Sequence, residues 1–198
     1  MRRCDVTGIM YKKRIKLMLP PTKIKGITCI LRLVDFTDAE FLFGLRSDPV
    51  LSRYISPVTG QVEDQVSWIA SYKAREAAKT EAYYIIETLD GCAFGTVRLY
   101  DIKLGEFTWG SFILTDVKPG KAALDVAVHS LEIGFSTFGC NCAKLDAKSQ
   151  NKHALSFYDR FGMTRYGEKD GSVLMHYDRI KFDANRERFL EIIQNAHT

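Results

Sequence analysis

The chain alternates between segments whose apolar residues recur every second position and segments where they recur every third or fourth position. The first spacing predicts strands and the second predicts helices. Seven strands are predicted, at residues 28–36, 82–88, 93–101, 106–114, 144–147, 163–168 and 173–182. Helices are predicted at 38–47, from about 63 to 75, from 122 to about 138, at 152–161, and after a cap at Asp183. This order of elements indicates an α/β (α+β) fold with a mixed central sheet flanked by helices.

The segment 145–163, LDAKSQNKHALSFYDRFGM, carries the most specific local pattern. Asn151 can cap a helix because its side-chain oxygen accepts from the free N–H groups of the first turn. Gly162 supplies the left-handed position that ends the helix. Between them lies an apolar stripe of four residues, Ala154, Phe157, Tyr158 and Phe161. The pattern therefore predicts a short helix that holds a tyrosine just beyond the end of a buried strand.

This segment resembles motif B of the GNAT (Gcn5-related) N-acetyltransferases, which reads roughly N-x-x-[AS]-x-x-[FL]-Y-x-x-[FL]-G-[FM]. The matching positions are Asn151, Ala154, Phe157, Tyr158, Phe161, Gly162 and Met163. Any helix packed on a sheet could show this stripe and cap, but the predicted order of elements is also that of the GNAT fold. The resemblance covers roughly residues 28–182. It implies a central sheet of about 6–7 strands in which the fourth and fifth strands splay apart.

Positive charge is concentrated near the N-terminus. Residues 1–27 hold eight basic residues and one acidic residue, so the total charge of +4 leaves −3 for the rest of the chain. We expect a basic N-terminal arm at 1–27, partly disordered, followed by a single GNAT acetyltransferase domain at 28–198 that includes a C-terminal helix. Met10 and Met18 are alternative starts. The mildly acidic remainder argues against a nucleic-acid partner.

Composition and cysteine usage narrow the class of protein further. The 198-residue chain is 46% hydrophobic and has no apolar run of about 18 residues, so no membrane span is expected. Its five cysteines are odd in number and lack the spacing of metal ligands. We therefore expect no metal, and free thiols in a reducing cytoplasm.

The resemblance implies that acetyl-CoA binds between the fourth and fifth strands. Its pantetheine would pair with the fourth strand, and its pyrophosphate would bind the N-terminus of the next helix. The family signature for that loop is Q/R-x-x-G-x-G/A. This chain departs from it at two positions: Val117 stands where the signature has a polar residue, and Pro119 lacks the backbone N–H that another residue would donate. A cofactor-free relative is therefore an alternative. The residues implied to bind acetyl-CoA are Phe112, Ile113, Leu114, Val117, Lys118, Gly120, Lys121, Ala122, Asn151 and Tyr158.

Acetyl transfer to an amine needs a base for the ammonium proton and an acid for the departing thiolate. Tyr158 matches the general-acid tyrosine of the family. Glu106 is the predicted base, because related acetyltransferases often carry a glutamate before an aromatic pair at the start of the fourth strand. Its alternative is an ordinary carboxylate after a turn. Alternation would place Glu106, Thr108, Gly110 and Phe112 on one face and Phe107, Trp109 and Ser111 on the other. Other candidate groups are Asp146, Asn151 and His153.

Cationic and aromatic side chains favour an acceptor that carries a phosphate and a ring. The residues predicted to bind it are Arg53, Tyr54, Arg98 and Trp109, with Arg46, Trp68, Tyr72 and Tyr100 nearby in the same predicted region. The predicted function is transfer of acetyl from acetyl-CoA to a primary amine by direct attack. The phrases TVRLYD and FTWGSFIL resemble family members associated with nucleotide-linked amino sugars of surface polysaccharides.

Several alternatives stay open at this point. The acceptor could instead be a protein N-terminus, as for ribosomal-protein Nα-acetyltransferases, or the chain could be a non-catalytic GNAT scaffold that binds CoA or another ligand. A homodimer and an acyl group closely related to acetyl also stay open.

Overall fold

The computed structural model describes residues 18–56, 58–103 and 105–196. Most of the predicted N-terminal arm, including the alternative start at Met10, lies outside the described residues. The division of the chain into an arm and a single domain stays a prediction.

One mixed sheet of eight strands forms the centre of the molecule. The strands are β1 (Lys23–Lys25), β2 (Ile30–Leu33), β3 (Ala82–Glu87), β4 (Ala93–Lys103), β5 (Glu106–Leu114), β6 (Cys142–Lys148), β7 (Thr164–Lys169) and β8 (Ser172–Asp178). Their spatial order is β1-β2-β3-β4-β5-β6-β8-β7. Every neighbouring pair is antiparallel except β5 and β6, which are parallel and are joined by a crossover helix. The predicted α/β fold with a mixed sheet is confirmed.

The described residues form five α-helices on the two faces of this sheet. They are α1 (Ala39–Ser47), α2 (Val62–Ala77), α3 (Ala122–Glu132), α4 (Lys152–Phe161) and α5 (Arg179–Gln194). On one face, α1 and α2 pack on β3 in a cluster that includes Leu42, Ile69 and Tyr83. On the other face, α3, α4 and α5 enclose the larger core. Because β3 is covered on both faces, all of its residues are buried.

The two ends of the sheet region differ from the sequence-based expectation. The sheet has eight strands rather than the expected 6–7. The additional strand is β1, which lies within the stretch assigned to the basic arm and pairs with β2. The last predicted strand, 173–182, ends at Asp178, and α5 begins at Arg179 rather than after Asp183. The buried residues Phe182, Phe189 and Ile193 follow helical spacing, which extends the helix back over residues that alternation had assigned to a strand.

The fourth and fifth predicted strands, β5 and β6, splay apart as the resemblance implied. They pair only where Glu106, Phe107 and Thr108 lie opposite Cys142, Ala143 and Lys144. Beyond these three pairs β5 continues to Leu114 and β6 to Lys148 without pairing to each other. The divergence opens a gap in the middle of the sheet and leaves one edge of β5 free.

A buried carboxylate connects α3 to the segment before β2. Asp125 is fully buried, and its Oδ2 accepts hydrogen bonds from the backbone nitrogen and the hydroxyl of Thr28, at 2.6 and 2.9 Å. The Nε2 of His129 lies 3.2 Å from the other oxygen. Gly26 packs directly on this carboxylate, since a Cβ there would come within 2.7 Å of Oδ2. The contact positions α3, whose first turn borders the gap between β5 and β6.

Burial alone would raise the pKa of Asp125, but the proximity of His129 and the donors of Thr28 outweigh it and hold this pKa at about 2. Since the folded-state pKa lies below the usual value of about 3.9, the carboxylate stabilises the fold above pH 4 and loses that effect as the pH falls toward 2.

We expect Asp125→Asn to lower the free energy of unfolding by about 2–4 kcal/mol at pH 7, because the Thr28 donors lose a charged acceptor. The difference in free energy of unfolding between Asp125→Asn and the unmodified protein should become smaller as the pH is lowered from 5 to 3. Urea unfolding across that range measures both effects. Glu40→Gln, at an exposed carboxylate on α1, is the control and should change stability little. An equal loss of stability at every pH would contradict this assignment.

Candidate active site

A bulge in β5 shapes the gap between the splayed strands. Thr96 pairs with Ile113 and Arg98 with Gly110, so Val97 alone lies opposite both Ser111 and Phe112. Ser111 has a φ of 46°, in the left-handed region, and its carbonyl accepts a 2.9 Å hydrogen bond from the Thr96 hydroxyl. A bulge of this kind reverses which face the following side chains occupy.

The bulge makes the predicted alternation of β5 wrong beyond Gly110. Phe112 was expected on the face opposite Trp109, yet its ring centroid lies 4.9 Å from that of Trp109. Simple alternation fails here because one extra residue is inserted into the strand. Phe112 thereby joins the wall of the gap that faces α4, where it also contacts Phe157.

A cavity of about 410 Å³ opens beside the free edge of β5. The end of β5, the loop after it, the start of α3 and one side of α4 form its walls. The residues implied to bind acetyl-CoA that line it are Phe112, Ile113, Leu114, Lys118, Asn151 and Tyr158. We call it the cofactor cavity.

The loop from β5 to α3 presents free backbone donors. Ala122 donates within the turn to Pro119 O at 3.2 Å, whereas no described backbone carbonyl accepts from the N–H of Gly120, Lys121 or Ala123. Lys121, with φ of 61°, occupies the N-cap position of α3. Free N–H groups and the helix dipole together make an anion-binding site.

The residues of this loop that were predicted to bind acetyl-CoA differ in which groups they offer to a ligand. The side chain of Val117 is 78% exposed and does not line the cofactor cavity. Lys118 Nζ lies 3.9 Å from Asp116 and 3.4 Å from the Thr115 carbonyl. Gly120 and Ala122 contribute only backbone.

A second cavity, of about 320 Å³, lies next to the cofactor cavity. Charged and aromatic side chains line it, among them Arg46, Tyr54, Arg98, Tyr100, Asp146 and Lys148. We call it the acceptor-side cavity. Tyr54, Phe112, Asn151 and Tyr158 line both cavities, so these residues mark where the two meet.

Tyr158 is held rigidly at this boundary. The side chain of Asn151 accepts from Ala154 N at 3.1 Å at the start of α4, and Gly162 ends the helix in a left-handed conformation, both as predicted. Tyr158 is 8% exposed and packs edge-on against Trp109, with 5.9 Å between ring centroids.

Burial, and then the negative charge of Asp146, raise the pKa of Tyr158 above its usual value. The phenol therefore stays protonated at neutral pH. Its hydroxyl has no hydrogen-bond partner among the described residues, which leaves the proton available to a bound ligand.

The structure does not bring Glu106 together with Tyr158. Glu106 begins β5, at the end where β5 and β6 still pair, and it lines neither cavity. Its carboxylate instead forms a 2.5 Å ion pair with Lys144 of β6. The carboxylate that does line the acceptor-side cavity is Asp146, which sequence reasoning had placed only among the alternative groups.

The predicted acceptor-binding residues are divided among three positions. Tyr54 and Arg98 line the acceptor-side cavity, where the Arg98 guanidinium stacks 4.7 Å from the Tyr100 ring centroid and its Nε donates to Glu81 at 2.6 Å. Arg53 lies outside both cavities, over the Tyr54 ring. Trp109 forms part of the wall but is 1% exposed, and its indole N–H donates to Ser130 at 2.9 Å. Trp109 therefore supports Tyr158 and offers an acceptor no free polar atom.

Sequence reasoning gave no specific role to Arg46, at the end of α1. One of its terminal nitrogens donates to Ser56 O at 3.1 Å, while its buried Nε has no hydrogen-bond partner among the described residues. The only signal in the sequence was a cation in the region expected to bind the acceptor. That its side chain lines the acceptor-side cavity depends on how α1 packs, which the local sequence does not reveal.

The family profile of the acetyltransferase (GNAT) domain matches residues 29–164, more than half of the chain. The chain belongs to the GNAT acetyltransferase family. FdhC, a nucleotide-linked sugar GNAT solved in its apo form, is similar in structure with a TM-score of 0.78, at 36% identity over 84% of this chain and 96% of that chain. No curated protein sequence gave a match.

Two further solved structures share the fold at lower identity. Mycobacterium smegmatis RimJ in complex with CoA-disulfide has a TM-score of 0.74 at 17% identity, over 87% of this chain and 94% of that chain. Spermidine N-acetyltransferase from Vibrio cholerae, in complex with CoA and spermine, has a TM-score of 0.67 at 18% identity, over 78% of this chain and 98% of that chain. At these identities the likeness shows the GNAT fold alone.

The chain is thus an acetyl-CoA-dependent N-acetyltransferase, and its residues fit that cofactor. The free edge of β5 and the apolar wall of the cofactor cavity suit the pantetheine arm, and the unpaired N–H groups of Gly120, Lys121 and Ala123 suit the pyrophosphate. Among residues 18–196, apart from Pro57 and Leu104, no cluster of three His, Cys, Asp or Glu side chains could hold a metal ion. No helix of the same residues is long and apolar enough to cross a membrane.

We expect Gly95→Ala to weaken acetyl-CoA binding about tenfold or more. A Cβ at Gly95 would lie 2.4 Å from Ile113 O and 2.7 Å from Leu114 Cδ2, so the end of β5 must shift away from β4. That end lines the cofactor cavity. Overpacking of this kind also lowers the free energy of unfolding by about 1–3 kcal/mol.

Isothermal titration with acetyl-CoA and urea unfolding measure the two effects of Gly95→Ala. Gly44→Ala is the matched control, because nothing lies within 4 Å of its Cβ position on α1. This control should leave acetyl-CoA binding unchanged and stabilise the helix slightly. Unaltered binding in Gly95→Ala would show that the cofactor does not depend on the position of the β5 edge.

Proposed function

We propose that this acetyltransferase transfers the acetyl group to the primary amine of a nucleotide-linked amino sugar. The observation that carries the proposal is the acceptor-side cavity, which combines two arginines, two tyrosines and a carboxylate beside Tyr158. The similarity to FdhC, at 36% identity over most of both chains, supports the same class of acceptor.

The cations of the acceptor-side cavity suit the phosphates of such an acceptor. Arg98 has its Nε on Glu81 and its guanidinium stacked on Tyr100, and Arg46 lines the cavity with one terminal nitrogen on Ser56 O. Guanidinium groups bind phosphate oxygens through paired N–H donors. The faces of Tyr54 and Tyr100 give flat apolar contacts for a sugar ring or a base.

Asp146 suits the amine of the acceptor. It stands on the open face of β6, lines the acceptor-side cavity, and lies close enough to Tyr158 to raise the pKa of that tyrosine. A carboxylate in this position can hold the ammonium group and take its proton, directly or through a water molecule. Glu106, the base expected from the sequence, lines neither cavity and pairs with Lys144, so we assign the role of base to Asp146.

An ammonium acceptor loses two protons in becoming an amide: Asp146 takes the first before attack and passes it to solvent, and the second, released as the tetrahedral intermediate collapses, restores the hydroxyl of Tyr158. Acetyl-CoA supplies the acetyl group as a thioester. Tyr158 presents its hydroxyl proton to the departing sulfur. Trp109 and Phe157 pack edge-on against the Tyr158 ring and hold it in place.

The experiment that tests the proposed function compares acceptors of different classes. Acetyl-CoA consumption is measured with UDP- and dTDP-linked amino sugars, with the same amino sugars lacking the nucleotide, and with peptides that mimic protein N-termini. We expect kcat/KM for a nucleotide-linked sugar to exceed that for the free sugar by at least about a hundredfold, since the phosphate contacts would be lost. A peptide acceptor that outperforms every sugar would favour N-terminal acetylation instead.

We expect Tyr158→Phe to lower kcat about a hundredfold, because the departing sulfur loses its proton donor. Acetyl-CoA affinity should stay within about threefold, since the ring and its packing are retained. Steady-state kinetics and isothermal titration measure these separately. Tyr166→Phe, at an exposed tyrosine of β7 outside both cavities, is the matched control. A Tyr158→Phe enzyme with unmodified kcat would remove the hydroxyl from the mechanism.

Asp146→Asn should lower kcat/KM about a hundredfold, whereas Glu106→Gln should change it less than about threefold. The physical reason is position: only Asp146 lines the cavity that Tyr158 borders. Kinetics at saturating acetyl-CoA compare the two variants, and circular dichroism confirms that both are folded. The opposite ranking would restore Glu106 as the base.

A further inference from the structure

Two arginines, one on α2 and one on β4, converge on a single buried carboxylate behind the acceptor-side cavity. Glu81, which directly precedes β3, is 3% exposed. Its Oε1 accepts from Arg98 Nε at 2.6 Å, and its Oε2 accepts from Arg75 Nε at 2.7 Å. Glu81 itself lines neither the acceptor-side cavity nor the cofactor cavity. A buried charge is costly unless it is paired, so the two arginines are what allows this carboxylate to be buried.

The strand register explains why Glu81 reaches Arg98. Tyr83 of β3 pairs with Arg98 of β4, and Glu81 lies two residues before Tyr83. Side chains two positions apart share a face of a strand, so Glu81 and Arg98 are diagonal neighbours on the face that α2 covers. Arg75 approaches the same carboxylate from α2, one turn after Tyr72, whose ring packs edge-on against Tyr83.

Aromatic rings hold the rest of the Arg98 guanidinium. Its Cζ lies 4.7 Å from the ring centroid of Tyr100 and 5.1 Å from that of Trp68. Only the Nε of Arg98 donates a hydrogen bond within the described part of the chain, to Glu81, which leaves both terminal nitrogens for a ligand. These nitrogens form the guanidinium edge that can bind two phosphate oxygens in parallel. Trp68 lines neither cavity, so it reaches the site only through Arg98.

We propose that Glu81 is a positioning residue, which fixes Arg98 so that its two terminal nitrogens face the phosphates of the acceptor. The inference rests on the proposed function, since it takes the acceptor to be nucleotide-linked. An arginine that is already held in place loses less side-chain freedom when a ligand binds, so more of the interaction appears as affinity. Without the carboxylate, Arg75 and Arg98 would lie side by side with no anion between them, and Arg98 would leave this orientation.

The test compares Glu81→Gln with the unmodified full chain. Glutamine has the same length but only one acceptor oxygen, so it cannot accept from both Nε groups. Isothermal titration with UDP and dTDP should show affinity for the preferred nucleotide falling about tenfold in the variant. KM for the nucleotide-linked amino sugar should rise by a similar factor, while kcat stays within about twofold. KM for the free amino sugar, which has no phosphate, should not change.

Glu87→Gln is the matched control. It removes another buried carboxylate of β3, which pairs with Arg32 Nε at 2.5 Å and lines neither cavity. This variant should lose stability in urea unfolding and keep the nucleotide affinity of the unmodified protein. Glu81→Gln should therefore differ from it in nucleotide binding, and not merely in stability.

A double-mutant cycle separates positioning from a general effect on the fold. Because Glu81 acts through Arg98, adding Glu81→Gln to Arg98→Gln should change nucleotide affinity less than about twofold further. Effects of the two substitutions that multiply would show that Glu81 does not act through Arg98, and would overturn the proposal.

Nuclear magnetic resonance of the unmodified protein gives a readout that does not depend on any variant folding. The Arg98 Nε–H should exchange slowly with solvent, because Glu81 accepts its hydrogen bond, and UDP or dTDP should shift the signals of the terminal nitrogens. The exposed Arg53 supplies the reference for fast exchange. An Arg98 Nε–H that exchanges as fast as that of Arg53 would contradict the fixed orientation.

Failure of this inference and failure of the proposed function give different results. Nucleotide binding that Glu81→Gln retains at the unmodified affinity would overturn the role of Glu81 and leave the proposed function intact. An unmodified protein that neither binds UDP or dTDP nor prefers nucleotide-linked sugars would overturn the proposed function, and this inference with it.

Discussion

The short parallel pairing of β5 and β6 is the constraint on which the active site depends. The two strands share three residue pairs and then diverge, so the backbone of β5 keeps an unpaired edge in the interior of the sheet. An unpaired buried strand edge is costly unless a ligand or another chain satisfies it. Here the gap is bordered by α3 at one end and α4 at the other. The same divergence therefore creates the cofactor cavity, the acceptor-side cavity and the boundary at which Tyr158 lies.

The two cavities differ in chemistry because different elements supply their walls. The cofactor cavity takes its apolar lining from β5 and α4 and its anion-binding donors from the first turn of α3. The acceptor-side cavity takes cations from α1 and β4 and a carboxylate from β6. A bulge at Ser111 turns Phe112 toward Trp109, and the Trp109 ring packs edge-on against Tyr158 where the two cavities meet. Tyr158 is therefore a protonated phenol at the boundary between the two cavities, and Asp146 lies in the acceptor-side cavity.

Segments outside residues 29–164, the range of the family profile, also position the helices of the active site. At the N-terminal side, Asp125 holds the Thr28 segment against α3, so the start of the sheet and the helix that carries the anion-binding donors are positioned by one buried carboxylate. At the C-terminal side, α5 covers the outer face of α4 through Phe189, which stacks on Phe161. Both contacts act on the helices that border the gap. The packing of the Thr28 segment and of α5 is therefore linked to the geometry of the active site.

Local sequence determined the elements and the family: the cap at Asn151, the glycine stop at Gly162 and the position of Tyr158 on α4 all depend on interactions within a few residues of each other. Tertiary structure decided which groups meet. Glu106 and Asp146 are both carboxylates on strands of the gap, yet only Asp146 borders Tyr158, because the strands pair at one end and diverge at the other. The reversal at Phe112 depends on one inserted residue whose partner, Val97, lies on another strand. Periodicity along one chain cannot report such cross-strand register, because the register is set by long-range hydrogen bonds and packing.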